Sequence, residues 1–249
     1  MILKELGIFS QNVRNNLVVK TILEVNFNFN IIFIQKPSWI TIRSILSSVN
    51  SEGIPLVEVV NHLNWLTFAR EPDMSKECPR VTIFINIRLA SFHPSFHKDI
   101  IDHRDIILTS FFVNNELFWI INIYSDSSHF VIKYLKNMKI NICNLLIMTG
   151  NFNICDSLWD PSFSHHSSIS DNLIIIADSF NLNLSMPTNH VPTRYSNNNN
   201  DSNSVINLIF LPYSFSKLDN HTILPNWQLT SDHVLLTITI PIAEANINH

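Results

Sequence analysis

The sequence predicts an α/β protein in which mixed β-sheets are faced by helices. Apolar segments of strand length, rich in Ile, Phe and Val, recur along the chain. Segments of helical length lie between several of them, and two of the strand segments are joined by a short "NNE" turn that is typical of a hairpin. This mixture of alternating helices and hairpins favours a layered sandwich. A chain of 249 residues with 46% hydrophobic residues has the size of one large domain, residues 1–249.

Seven segments are predicted strands because they are short, apolar and bounded by polar residues. In chain order they are "IIFIQ" (31–35), "VTIFINI" (81–87), "DIILTSFFV" (105–113), "LFWIINIYS" (117–125), "NLLIMTG" (144–150), "SVINLIFL" (204–211) and "VLLTITI" (234–240).

Three segments are predicted helices. They cover Arg14 to Val25, Ser128 to Met138 with Ser128 as N-cap, and Ser170 to Phe180. The polar segment "RYSNNNNDSNS" (194–204) is expected to be an exposed loop, since it has little apolar area to bury.

Composition excludes several classes of protein. The longest apolar runs fall short of the roughly 20 residues that cross a bilayer, and the first residues lack the pattern of a secretory signal, so an intracellular protein is expected. Three cysteines without CxxC spacing argue against a zinc site or a disulfide framework. A net charge of −4 without an obvious basic run indicates that any nucleic-acid binding would be weak.

Polar motifs follow the apolar segments in an order that carries a family resemblance. They are "SQNVRNN", "IIFIQKPSW", "NIYSDSS", "TGNFN", "SVINLIF" and "LTSDH". In this order and spacing they resemble the endonuclease/exonuclease/phosphatase family, and most closely the endonuclease domains of fungal non-LTR retrotransposons. The resemblance covers about residues 8 to 240. "GNFN" alone would be a weak match, whereas the set together is specific.

The resemblance implies a four-layer sandwich of two β-sheets faced by helices, and Mg²⁺-assisted hydrolysis of DNA phosphodiesters at one edge of the sheets. Such chemistry needs carboxylates for the metal and a histidine that neutralises phosphoryl charge. By resemblance, Asn12 matches an Asn beside the metal and Tyr124 a Tyr that contacts phosphate. Asn153 matches the Asn of the "GDxN" motif, Asp232 the metal-side carboxylate, and His233 the phosphate-facing imidazole. Each of these could instead be an ordinary turn or core residue.

Three positions depart from the family pattern. Lys36 replaces a metal-binding Glu, Asn151 replaces the Asp that acts on the attacking water, and Asn207 replaces the Asp that supports the His. An ammonium about 4 Å from a dication repels it by up to about 8 kcal/mol, and loss of a general base typically costs about 10² to 10⁴ in rate. A lysine here could also pair directly with Asp232. Mg²⁺ binding is therefore doubtful.

Three functions are compatible with these observations. The first is a retrotransposon-type DNA endonuclease that is impaired or inactive, a pseudoenzyme, which would act in the nucleus. The second is a non-catalytic module that binds nucleic acid or protein on the same fold. The third is a residual enzyme that acts on another phosphoester.

Overall fold

The structure, a computed structural model, describes most of the chain. The described residues are 4–14, 18–26, 28–37, 45–49, 55–58, 62–70, 78–138, 140, 142–187, 191–196, 202–215, 221–224 and 231–242, with the backbone alone for 45–49 and 55–58.

Strands dominate the described part of the chain. They are β1 (Glu5–Asn12), β2 (Ile31–Gln35), β3 (Ile45–Val49), β4 (Pro55–Glu58), β5 (Trp65–Ala69), β6 (Val81–Asn86), β7 (Ser95–Phe96), β8 (Ile106–Val113), β9 (Glu116–Tyr124), β10 (Leu145–Asn151), β11 (Leu182–Ser185), β12 (Asn207–Pro212), β13 (Thr222–Leu224) and β14 (Leu235–Pro241). The helices are α1 (Val19–Val25), α2 (Phe130–Asn137) and α3 (Ser168–Ser179), with a 3₁₀ turn at Ile87–Phe92.

The strands form two six-stranded mixed sheets, which confirms the predicted class. The first sheet has the order β13-β14-β1-β2-β6-β5 and the second β11-β12-β10-β9-β8-β7, while β3 and β4 pair separately. Each large sheet contains one parallel pair, β1 with β2 and β9 with β10, and its other pairs are antiparallel.

The two sheets pack face to face, and helices cover their outer faces. One hydrophobic core contains side chains from both sheets, such as Phe33 and Ile238 from the first and Ile120 and Ile209 from the second. A second core lies between α2, α3 and the second sheet, and a third between α1 and the first sheet. The order of layers is therefore helix, sheet, sheet, helix, as the resemblance implied. Central strands are buried on both faces, which explains why their sequences are continuous apolar runs.

The hairpin between β8 and β9 is confirmed. Its two turn residues, Asn114 and Asn115, have φ values of 51° and 67°. Two successive positive φ angles fit a type I′ turn, which asparagine tolerates better than most residues and which matches the twist of the strands.

The predicted helix starts need correction. Helix α2 begins at Phe130, and its N-cap is His129 rather than Ser128. The Ser128 hydroxyl instead donates to Asp126 Oδ1 at 2.5 Å. Helix α3 begins two residues earlier than predicted because the Ser167 hydroxyl accepts a hydrogen bond from Ser170 N at 3.2 Å. The predicted helix 14–25 also starts too early: α1 covers Val19–Val25 with Val18 as its N-cap, Arg14 is a turn residue with φ 48°, and residues 15–17 lie outside the described ranges.

The predicted loop at 194–204 is only partly a loop. Arg194 and Ser204 form an isolated β-bridge, and Ser204 is buried. Residues 197–201 between them lie outside the described residues. Within the described ranges, none of the helices has both the length and the apolar content needed to span a bilayer.

Candidate functional site

The two parallel strand pairs bring four predicted site residues to one edge of the sandwich. Asn12 is the last residue of β1, and Lys36 directly follows β2, its parallel neighbour. Tyr124 and Asn151 end β9 and β10 and pair with each other in register. Because parallel strands end at the same edge, residues far apart in sequence converge there, as is common for sites in α/β proteins.

Two antiparallel strands begin at the same edge and complete the group. Asn207, the first residue of β12, pairs in register with Asn151. Asp232 and His233 precede β14, which runs antiparallel to β1. The structure thus brings together residues that the sequence separates by more than two hundred positions.

His233 lies at the centre of this group and is surrounded by amide groups. Its Nδ1 is 3.1 Å from Nδ2 of Asn207 and 3.4 Å from Nδ2 of Asn151. Its Nε2 is 3.2 Å from Nδ2 of Asn12. These amide nitrogens only donate hydrogen bonds, so the imidazole meets donors at both ring nitrogens.

The orientation of the Asn207 amide is fixed by its other partners. Its Nδ2 donates to Thr193 O at 3.2 Å, and its Oδ1 accepts from Asn151 Nδ2 at 2.8 Å. Asn207 therefore presents a donor to His233, and Nδ1 of the ring must accept. A carboxylate at this position would instead accept a hydrogen bond from Nδ1–H and favour the imidazolium.

The surroundings of His233 favour its neutral form. Burial lowers the pKa of His233; Asp232 opposes this effect, while the nearby charges of Arg194, Arg14 and Lys36 lower the pKa further. A neutral imidazole contributes no positive charge to a phosphate group near neutral pH.

Asp232 is the single carboxylate among the eight predicted site residues, and two arginines hold it. Its Oδ2 is 2.5 Å from Arg14 Nη1 and 3.4 Å from Arg194 Nε. The side chain of Asp232 is 2% exposed, whereas those of Arg14 and Arg194 are 54% and 30% exposed. The carboxylate is thus turned inward, and the guanidinium groups face solvent.

The two arginines were not predicted as site residues. Arg14 lies within the quoted motif "SQNVRNN", two residues after Asn12, but was assigned to a helix. In the structure Arg14 follows β1 with φ 48°, and its N–H donates to Asn12 Oδ1 at 3.0 Å. Arg194 was assigned to the exposed loop, although its backbone pairs with His233 in a β-bridge. No sequence pattern predicts a site role for Arg194, because its contact with Asp232 joins two segments that only the tertiary structure brings together.

The predicted alternative of an ion pair between Lys36 and Asp232 is wrong, because Asp232 pairs with Arg14 and Arg194 instead. The Lys36 ammonium lies 5.7 Å from the centroid of the Tyr124 ring, and the Arg80 guanidinium lies 4.8 Å from the same centroid. The Tyr124 ring is 5% exposed. Both contacts are of the cation–π type, so this ring draws two further cations to the site.

Asn153 lies beside the group rather than within it. Its Nδ2 donates to Ser125 O at 2.6 Å, which joins the segment after β10 to the segment after β9. Its role in chemistry stays a prediction, as do the roles of Tyr124 and the other predicted site residues.

The donor set does not fit Mg²⁺. This ion prefers several oxygen ligands, carboxylates among them. The group offers one carboxylate, Asp232, whose Oδ2 is already paired with Arg14 and Arg194. Among the eight predicted site residues, the buried side-chain oxygens without a hydrogen-bond partner are Asp232 Oδ1 and Asn151 Oδ1, and two oxygens beside two guanidinium groups make a poor cage for a dication. Among the described residues, no cluster of three or more His, Cys, Asp or Glu side chains could hold a metal.

Solved structures of similar shape include two endonucleases and a protein crystallised with a DNA product. The endonuclease domain of TRAS1, a telomere-specific non-LTR retrotransposon, superposes with a TM-score of 0.69 at 13% identity, over 93% of this chain and 96% of that domain. The AP endonuclease LMAP from Leishmania major gives 0.65 at 10% identity, over 96% and 88% of the two chains. D. rerio TDP2 in complex with a single-strand DNA product gives 0.56 at 11% identity, over 94% and 98%.

No protein-family model and no curated protein sequence matches this chain. The likeness is therefore one of shape, and at these identities it shows the fold alone.

Proposed function

From the endonuclease/exonuclease/phosphatase fold that this chain has, we propose that it is a nucleic-acid-binding protein that contacts backbone phosphates at the edge of its sheets and has lost metal-dependent cleavage. The proposal rests on one observation, the ion pairs of the buried Asp232 carboxylate with Arg14 and Arg194. A cation of the protein itself lies where a nuclease of this fold would need carboxylates around a metal.

The balance of charge at the site supports binding of an anion. Arg14, Arg194 and Lys36 carry three positive charges, and Asp232 carries one negative charge that is buried. The exposed guanidinium groups can donate paired hydrogen bonds to phosphate oxygens. The overall charge of −4 does not oppose this, because phosphate contacts depend on the local arrangement of cations.

The site lacks the groups that hydrolysis would use. Asn151 cannot accept a proton from water, and Asn207 cannot stabilise the charged form of His233. Both residues are buried, and their amides are hydrogen-bonded to each other. No carboxylate of the group can therefore move into either position and take over its role. The neutral imidazole of His233 adds no charge to the transition state.

The test is binding of a fluorescent single-stranded DNA and a duplex in EDTA, measured by anisotropy over a range of salt concentrations. Arg14→Ala and Arg194→Ala should each weaken binding and reduce the slope of log K against log salt by roughly 0.7 to 0.9 for each phosphate that the variant no longer binds. Arg88→Ala is the matched control, because Arg88 is exposed and follows β6, whose carboxyl end lies at the opposite edge of the sheet.

A parallel assay follows plasmid nicking by the wild-type protein in Mg²⁺ or Mn²⁺. We expect no nicking above that of a buffer control. Metal-dependent nicking by the wild type, or equal effects of Arg14→Ala and Arg88→Ala on binding, would show that the proposed function is wrong.

A further inference from the structure

A second cleft lies beside the candidate site, and Arg80 belongs to its lining. Its volume is about 580 Å³, within the usual range of about 300 to 1,000 Å³ for small-ligand sites. Arg80, Asp105, Asp126, His103 and Phe130 are among the residues that line it. Arg80 forms the shared wall, because its guanidinium also lies over the Tyr124 ring.

The charges in this cleft compensate one another. Arg80 Nη2 donates to Asp105 Oδ2 at 2.6 Å, and its Nη1 donates to Asp126 Oδ2 at 2.9 Å. Arg70 likewise pairs with Asp102 at the rim. Because each of these carboxylates already has a guanidinium partner, the cleft selects neither a metal cation nor a bare anion, in contrast to the site of Arg14 and Arg194.

An aromatic stack forms one side of the cleft. The Phe130 ring is 62% exposed, although it is a large apolar side chain. It stacks on His103 with centroids 5.9 Å apart and an angle of 26° between planes, and His103 in turn packs 4.8 Å from Tyr134. His103 Nδ1 accepts a hydrogen bond from Asp105 N at 3.1 Å, so the imidazole is held in a fixed position behind Phe130.

A flat apolar face beside fixed polar groups is the chemistry that recognises a nucleobase. Bases bind to proteins by stacking on aromatic rings, and their edges form hydrogen bonds with polar side chains. At the cleft, the Ser128 hydroxyl donates to Asp126 Oδ1, and the oxygens of both side chains keep lone pairs that can accept from the amino group of a base. Bases are accessible in this way when they are unpaired, which favours single strands over duplexes.

We propose that this cleft binds an unpaired nucleobase of a single-stranded nucleic acid, stacked on Phe130, while the backbone of the same strand lies on the cations of the candidate site, Arg14, Arg194 and Lys36. The placement of the backbone rests on the proposed function. The binding of the base does not, since it depends on the residues of the cleft, above all on the stack of Phe130 and His103.

Two probes separate the base from the phosphate. Adenosine carries a base without phosphate, and its binding is followed by saturation-transfer NMR. A single-stranded oligonucleotide made entirely of abasic residues carries phosphates without bases, and its binding is followed by anisotropy in EDTA. Phe130→Ala should weaken adenosine binding by roughly tenfold or more and leave binding of the abasic strand unchanged.

Two controls accompany this experiment. One removes a different exposed phenylalanine, and the other replaces Phe130 by a large non-aromatic or a large aromatic residue. Phe112 is 47% exposed and lies on β8 about 20 Å along the strand from Asp105, so Phe112→Ala should leave adenosine binding unchanged. Phe130→Leu should behave like Phe130→Ala, and Phe130→Trp should retain binding, because stacking needs an aromatic face.

The outcomes are distinguishable. Adenosine that does not bind the wild type, or that binds Phe130→Ala as well as the wild type, overturns the base site regardless of the abasic strand. An abasic strand that does not bind overturns the proposed phosphate contacts, while the adenosine experiment still decides the base site.

Discussion

The Arg14 guanidinium lies 2.5 Å from the Asp232 carboxylate, and 218 positions of sequence separate the two residues. Asp232 is buried at the junction of the two sheets, and Arg14 covers it from the solvent side. Such a pair gives the buried carboxylate a counter-charge that the protein itself supplies.

Removal of Arg14 should therefore destabilise the fold. Arg14→Ala leaves Asp232 with Arg194 at 3.4 Å as its remaining ion-pair partner among the described arginines and lysines. Because Arg14 is half exposed, we expect the free energy of unfolding to fall by about 1 to 2 kcal/mol, less than for a fully buried pair. Urea denaturation at pH 7 measures this change in the free energy of unfolding. Lys20→Ala, which breaks an exposed pair with Glu24, should cost under about 0.5 kcal/mol; equal effects of the two substitutions would contradict the assigned role of Arg14.

Introducing the carboxylates that the family resemblance implies should produce cleavage only when Arg14 is also removed. The triple variant Lys36→Glu, Asn151→Asp, Asn207→Asp has these acidic groups but keeps the Arg14 guanidinium on Asp232. We expect plasmid nicking in Mg²⁺ to rise by roughly 10²-fold or more when Arg14→Ala is added to the triple variant.

The same proteins provide a readout of metal binding that does not depend on activity. Mg²⁺ should raise the melting temperature of the quadruple variant and leave that of the wild type unchanged relative to EDTA, since a ligand stabilises only a protein that binds it. A wild type that Mg²⁺ stabilises would contradict the conclusion that its residues do not fit the ion.

Gly150 should be required for the position of Asn151. It has φ 156°, and a Cβ atom there would lie 1.8 Å from the carbonyl oxygen of Ile123 on the neighbouring strand. Gly150→Ala must push β10 away from β9, so we expect a loss of more than about 3 kcal/mol in the free energy of unfolding or failure to fold. Gly7→Ala is the matched control, because its nearest new contact would be 3.4 Å from Asn30 Oδ1; a Gly150→Ala protein as stable as Gly7→Ala would contradict this geometry.

Stability should fall as the pH drops from about 6.5 to about 4. Burial lowers the pKa of His221 to about 4, although a hydrogen bond with Ser185 opposes the shift. In the unfolded chain its pKa is about 6.5, so between these values the unfolded state binds more protons and folding loses up to about 3 kcal/mol. Urea denaturation from pH 7 to pH 4 measures this slope, which His221→Gln should reduce and the exposed control His93→Gln should not.

The sequence predicted the central strands of both sheets more readily than their edges. Strands such as β2 and β10 are buried on both faces, so they are continuous apolar runs. The four edge strands, β5, β7, β11 and β13, were not predicted. They are short and partly exposed, and backbone pairing with a neighbour stabilises them more than their own composition does. Strand β1 was also missed, because it ends in the buried polar residues Ser10, Gln11 and Asn12.

The sequence by itself determined that the chain alternates strands and helices, and that polar residues follow the apolar runs at one edge. By resemblance, it also predicted that Lys36, Asn151 and Asn207 stand where a nuclease of the resembled family has carboxylates. Only the tertiary structure decided that Arg14 and Arg194 hold Asp232, and that the Asn207 amide turns its donor toward His233. Ion pairs and amide orientations depend on partners that come from distant parts of the chain. The strands could be predicted because the burial of each strand is reflected in its own apolar composition.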